Sequence, residues 1–206
     1  NYKHPVGFTK LSLVCLPNGT ADIAYKTMDG IGWFRQLLPD NSLTPPQQFT
    51  HNLGTSEDEM MAILPLVYVP EKEITVAVFR KSDGYLYLSS RSSGNSWSQQ
   101  VRVSDRPVVT NAVDSDQAGA DAVAWQGQII ISFIPEEDRD IYLTIISDFN
   151  QISEAILIVP AIDGSWVRGN ILYHQENSPV YGIVYDAGSK GGSGFNRYIY
   201  VGMEKK

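Results

Sequence analysis

The residues in this chain best suited to chemistry are a base, a phenol and a few separated carboxylates. His174 follows Tyr173, and Tyr185 lies further along the same stretch. Elimination from a sugar acid uses a His or Tyr as base once a cation or an arginine has neutralised the acid, so His174 and Tyr185 form a candidate catalytic pair. Asp58, Asp121 and Asp186 each sit near an apolar run, and two carboxylates facing one pocket can cleave a glycoside. Asp at a strand end also serves as an ordinary turn residue. A lone His there also serves as a solvent-facing group.

Asp114, Asp116 and Asp121 space oxygen atoms somewhat as a calcium loop does. Hard cations take roughly six to eight oxygens, and this segment lacks a distal Glu, so it reads as a solvated acidic turn. The same reading applies to Glu136-Glu137-Asp138-Arg139-Asp140. The glycine-rich stretch 188–194 has no phosphate-loop order. It reads as a hairpin loop able to fold over a ligand.

Sugar binding draws on a different inventory, and the chain is rich in it: four Trp and 11 Tyr, with many Asn, Gln and Ser near turn-like positions. Aromatic faces stack on sugar C–H faces beside amide and hydroxyl groups. Trp97, Trp125 and Trp166, close to strand ends, are the expected exposed platforms, with Arg80 and Tyr173 as further ligand contacts. The reading preferred on these grounds is a non-catalytic, secreted carbohydrate-binding protein that needs no cofactor. Its alternatives are a small carbohydrate-active enzyme with one axial pocket served by His174 and Tyr185, and a protein-interaction module.

Bulk properties exclude other classes. The chain has 206 residues, 43% hydrophobic and 19% charged, enough apolar surface to bury a sizeable core. A net charge of -7 and a pI of 4.9 oppose a nucleic-acid partner, whose phosphates would be repelled. The longest apolar runs, such as 129–134, fall far short of the roughly 20 residues of a membrane-spanning helix. The single Cys15 excludes an intrachain disulfide, and its apolar surroundings predict a buried small hydrophobe. Starting at Asn1, the chain reads as a processed protein or an expressed fragment, and Asn18-Gly19-Thr20 is a glycosylation sequon.

The elements that must position these residues repeat. Tyr25, Phe79, Phe133 and Tyr185 stand 54, 54 and 52 residues apart, and Trp33, Tyr87, Tyr142 and Tyr200 stand 54, 55 and 58 apart. A fixed period of this length marks an array of small units. Within each unit the apolar pattern alternates at two residues and breaks at Gly, Pro, Asp and Asn, the signature of strands and turns. In the second unit the expected strands are 61–69, 74–80, 85–90 and 98–103, with Asp83-Gly84 turning the central hairpin. The third has strands over 121–125, 128–134, 141–147 and 154–159; the fourth has 170–173, 180–185 and 197–201, then stops.

The expected fold is therefore all-β: a β-propeller of about four four-stranded antiparallel blades, with five as the other count. It forms one domain with units over 10–55, 56–110, 111–160 and 161–206. The stretch 2–8 is expected to supply the missing last strand, so that the chain ends close the ring. An unpaired blade edge would also invite a second copy, giving a homo-oligomer. The aromatic columns are expected to be core, because a repeated in-sheet position is what packing requires.

Ser90-Arg91-Ser92-Ser93-Gly94-Asn95-Ser96-Trp97 resembles the Asp-box turn of sialidase-like propellers, with Ser92 in place of the defining Asp and Ser96 in place of Thr. Asp163-Gly164-Ser165-Trp166 is a shorter echo. The resemblance implies a structural turn between the third and fourth strands of a blade. The Arg-Ile-Pro element of sialidase-type hydrolases is absent. A second resemblance, carried by Asp121-Ala122-Val123-Ala124-Trp125 and by Phe79 to Gly84 followed by Trp97, is to fungal-type fucose-binding propeller lectins. That family's sugar-gripping Arg and Glu have no counterparts at Val76, Ile130 and Ile183.

Overall fold

The computed structural model describes residues 8–54, 65–94, 96–109, 119–138, 140–149, 151–160, 165–174, 180–189 and 195–203. They form four sheets, each an antiparallel meander. The first contains β1 (Phe8–Cys15), β2 (Ala21–Thr27), β3 (Gly32–Leu37) and β4 (Gln47–Thr50) in that order. The second contains β5 (Leu66–Val69), β6 (Ile74–Arg80), β7 (Leu86–Ser92) and β8 (Val101–Arg102), with one 3-10 turn at Pro70–Lys72. In the third, β9 (Ala120–Trp125), β10 (Gln128–Phe133) and β11 (Ile141–Asp148) are followed by an outer edge shared between β12 (Gln151–Ile152) and β13 (Ile156–Val159), both paired with β11. The fourth holds β14 (Ser165–His174), β15 (Val180–Ser189) and β16 (Phe195–Met203), with no outer strand among the described residues.

Local chemistry explains the hairpins. Gly84 has φ 90° and Gly30 has φ 77°, the left-handed region that a Cβ disfavours. The Lys81 N–H donates to Tyr85 O at 3.1 Å to close the second turn, and the Thr27 N–H donates to Ile31 O at 3.0 Å to close the first.

The sheets stack in chain order through their inner strands: β1 lies beside β5, β5 beside β9, and β9 beside β14. Each strand therefore sends alternate residues to the sheet before and the sheet after. Ala24, Phe34 and Phe49 of the first sheet pack on Leu66, Ala77 and Phe79 of the second. Val76, Val78, Leu86 and Leu88 of the second pack on Ile129, Ile131, Phe133 and Ile146 of the third. The opposite face of the third carries Trp125, Ile130, Ile141 and Leu143. The first aromatic column is core as expected, with Tyr25, Phe79 and Phe133 all buried; the expectation is corrected for the second, since Trp33, Tyr87 and Tyr142 are half-buried.

No seam comparable to these joins β14 back to β1 among the described residues. The stretch 2–8 expected to close the ring lies outside them except for Phe8, the first residue of β1. Leu11 and Leu13 are 56% and 47% exposed, and Cys15 is exposed with them. The expectation of a buried Cys15 is thus corrected. Alternation puts it on the face of β1 that points away from the second sheet.

Two polar contacts recur with the period. Lys26 Nζ donates to Leu53 O at 2.7 Å, and Arg80 Nε donates to Val108 O at 2.7 Å, so a cation just past the column aromatic ties each of the first two sheets to the linker that follows it. Tyr87 donates its hydroxyl to Asp83 Oδ2 at 2.6 Å, and Tyr142 to Asp138 Oδ2 at 2.9 Å. The second aromatic column thereby braces the hairpin turns of the second and third sheets.

Candidate functional site

The first residues of the inner strands mark one end of each sheet. Asp121, the second residue of β9, is half-buried there, and its Oδ1 accepts the Ala122 N–H at 2.9 Å. On the adjacent fourth sheet, strand register aligns Arg168 of β14, Asp186 of β15 and Arg197 of β16 in one row. Two of the three carboxylates expected near an axial pocket are thus placed on neighbouring sheets, toward the end where the inner strands begin. The third, Asp58, lies outside the described residues, as do Asp114 and Asp116. Among the described residues no three His, Cys, Asp or Glu side chains gather as a metal would require.

The hairpin tips beyond this end form a charged rim. Arg80 Nη2 meets Glu136 Oε1 at 3.0 Å, and Arg106 meets Asp105 at 3.1 Å, Glu137 at 3.2 Å and Asp138 at 3.5 Å. Carboxylate contacts, Asp105 above all, hold the Arg106 guanidinium above its ordinary value. Arg80 is buried and engaged in the linker contact described above.

His174 lies at the opposite end of β14, in register with Tyr181, and Tyr173 is in register with Gly182. Tyr185 pairs with Asn170 and Tyr198. Four residue steps of strand, about 13 Å, separate the His174 position from that of Tyr185. Trp166 pairs with Gly188 near the start of β14. Trp125, expected as an exposed stacking platform, is 6% exposed, because strand alternation turns it into the apolar cluster on the far face of the third sheet.

Trp97 has a different setting. It is half-buried, 4.9 Å from the ring of Phe49 and edge-on to Phe34 at 5.4 Å. Arg91 lies over the other ring neighbour, its guanidinium carbon 4.2 Å from the Phe34 centroid. Arg91 and Trp97 are the second and last residues of the turn that resembles an Asp box. Across the seam, Asp22 of β2 accepts from Gln36 Nε2 at 2.7 Å and from Thr75 Oγ1 at 2.6 Å, and Thr75 pairs directly with Arg91. Burial draws the Arg91 guanidinium below its ordinary value, and Asp22 opposes that shift. Asp22 and Thr75 belong to no motif in the sequence, and Arg91 enters only as part of the Asp-box-like turn. The usable signal was the repeat: one unit later the same positions hold Val76, Ile129 and Ile146, all buried.

No family model and no curated protein matches the chain. Its fold is similar to several solved structures. One is an α-L-arabinofuranosidase from Fusarium graminearum, 12% identical with a TM-score of 0.64 over 98% of this chain and 64% of that one. Another is a polysaccharide lyase, an ulvan lyase, at 12% identity and TM-score 0.59 over 96% and 50%. A third is the intramolecular trans-sialidase from Ruminococcus gnavus, at 13% identity and TM-score 0.54 over 84% and 38%. The chain spans at most 64% of the length of these proteins.

The likeness establishes a sialidase-like β-propeller type of fold. The same neighbours overturn the expectations of a non-catalytic lectin and of a protein without enzymatic activity, since they are carbohydrate-active enzymes.

Proposed function

We propose that the chain is a carbohydrate-active enzyme that cleaves glycosidic bonds in a single pocket on the axis of a four-bladed array. The units 10–55, 56–110, 111–160 and 161–206 are its blades. The observation that carries this reading is the likeness to an arabinofuranosidase over 98% of the chain. Asp121 near the start of β9, and the register pair Arg168 and Asp186 on the adjoining sheet, support it.

The chemistry follows from two carboxyl groups in unlike settings. Asp186, in register between Arg168 and Arg197, takes the anionic role, because nearby cations favour a carboxylate. It acts as nucleophile, or as the base for an attacking water. Asp121 takes the acid role, giving its proton to the leaving glycosidic oxygen as the C–O bond breaks. Elimination through His174 and Tyr185 is the second reading; it has to bridge the four residue steps that separate the His174 position from the register position of Tyr185. A polysaccharide substrate is met outside the cell, and secretion is the localisation that goes with this function.

The test is product release from a panel of arabinans and uronate-containing polysaccharides, read as new reducing ends and as ultraviolet-absorbing unsaturated ends. Hydrolysis predicts reducing ends alone, with a loss of about 100-fold or more in Asp121→Asn and Asp186→Asn and near-normal rates in His174→Ala and Tyr185→Phe. Unsaturated ends abolished by the latter two substitutions would assign elimination instead. No release by the folded wild-type protein from any polysaccharide would overturn the enzyme.

A further inference from the structure

The seam between the first and second sheets contains charge that the stacking does not require. Asp22, Thr75 and Arg91 are 2%, 3% and 7% exposed, and taking such groups out of water costs several kcal/mol per ion unless geometry compensates. The next seam is built on the same register from Val76, Ile129 and Ile146, with Ile129 paired to Ile146 as Thr75 is to Arg91. The same architecture is thus satisfied by a wholly apolar triple. Something other than stacking accounts for the polar one.

The bonding within the cluster is one-sided. Both carboxylate oxygens of Asp22 have donors, Gln36 and Thr75. Arg91 Nε and Trp97 Nε1 are buried and have no acceptor among the described residues. An arginine is donor-only, as is an indole nitrogen. The Phe34 ring lies against the guanidinium, and a guanidinium meets a carboxylate along its edge. A hydroxyl ligand would bring a further donor to a place already rich in them, whereas a carboxylate brings acceptors alone.

We propose that this seam, bounded by Arg91, Trp97 and Phe34, binds the carboxylate of an acidic sugar. The carboxylate spans Arg91 Nε and Trp97 Nε1, and Asp22, fixed by Gln36 and Thr75, keeps the guanidinium oriented without pairing to it. The turn that resembles an Asp box thus carries a ligand donor at each end. Only the identity of the carrier as a sugar rests on the proposed enzyme function; the oxyanion site stands on the seam itself.

The experiment is calorimetric titration of the whole chain with glucuronate, with glucose as the neutral match. Saturable binding of glucuronate and none of glucose is expected. Trp97→Phe keeps the ring and removes the N–H, and should weaken binding about tenfold. The combined substitution Asp22→Val, Thr75→Ile and Arg91→Ile copies the next seam; it should stay folded, with an unchanged or higher Tm, and lose binding. Asp121→Asn should bind glucuronate normally, so a failed axial pocket and a failed seam give different results. Absence of glucuronate binding by the wild type, equal binding of glucose, or undiminished binding in Trp97→Phe or the combined variant overturns the proposal.

Discussion

Tyr87 and Tyr142 each donate to a carboxylate four residues back, and both hold their protons above the ordinary phenol value of 10.0. For Tyr87 the main cause is the bond to Asp83; for Tyr142 it is burial, followed by the bond to Asp138. Below that pH both phenols are protonated whether the chain is folded or not, and the bonds contribute in full. As pH rises, unfolded phenols ionise first, so stability falls as pH passes through the folded values. The Tm of the wild type should therefore drop more steeply above pH 10 than that of Tyr87→Phe/Tyr142→Phe, which starts lower; parallel curves would refute the linkage. The first aromatic column was legible because Tyr25, Phe79 and Phe133 are buried at one repeated in-sheet position. Arg91 was not, because its meaning depends on Phe34 and Asp22 across a seam, and no spacing along the chain reports that.

At the level of single elements, the turns were the most readable feature. Asp29-Gly30 and Asp83-Gly84 both form hairpins at positive φ. Gly84 and Gly94 share that backbone conformation but differ in surroundings. A Cβ on Gly84 would meet Pro107 Cβ at 3.0 Å, whereas one on Gly94 would meet nothing within 4 Å. Gly94→Ala should cost about 1 kcal/mol, the backbone penalty alone, and Gly84→Ala about 2 kcal/mol or more, with overpacking added. Equal losses in urea melts would mean that the Pro107 contact relaxes freely. The third sheet departs from the expected grammar: where one outer strand over 154–159 was anticipated, Gln151–Ile152 and Ile156–Val159 divide the edge. The Ser153 hydroxyl between them accepts the Ile145 N–H at 2.9 Å, local bonding that apolar periodicity does not register. Trp125 was misread for a related reason, since nearness to a strand end does not say which way alternation turns a side chain.

Among the described residues each sheet touches chiefly its neighbours in chain order, so stability is close to a sum of sheet and seam contributions. The seams are unequal. The one between the second and third sheets is apolar in its interior, with ion pairs only at its rim, while the first sheet joins the second partly through the buried Asp22 and Thr75 and through the Ser12 hydroxyl, which accepts the Leu66 N–H at 3.2 Å. The first sheet also leaves Leu11 and Leu13 in water on its other face. Such an array need not open all at once. Native-state hydrogen exchange should find the amides of β2 and β3 released by a partial opening that leaves those of β6 and β10 protected, and a single opening free energy shared by all four strands would exclude it. The polar seam then has a kinetic meaning besides its chemical one: it marks where cooperativity breaks, and any acidic ligand held there would fasten the first sheet to the rest.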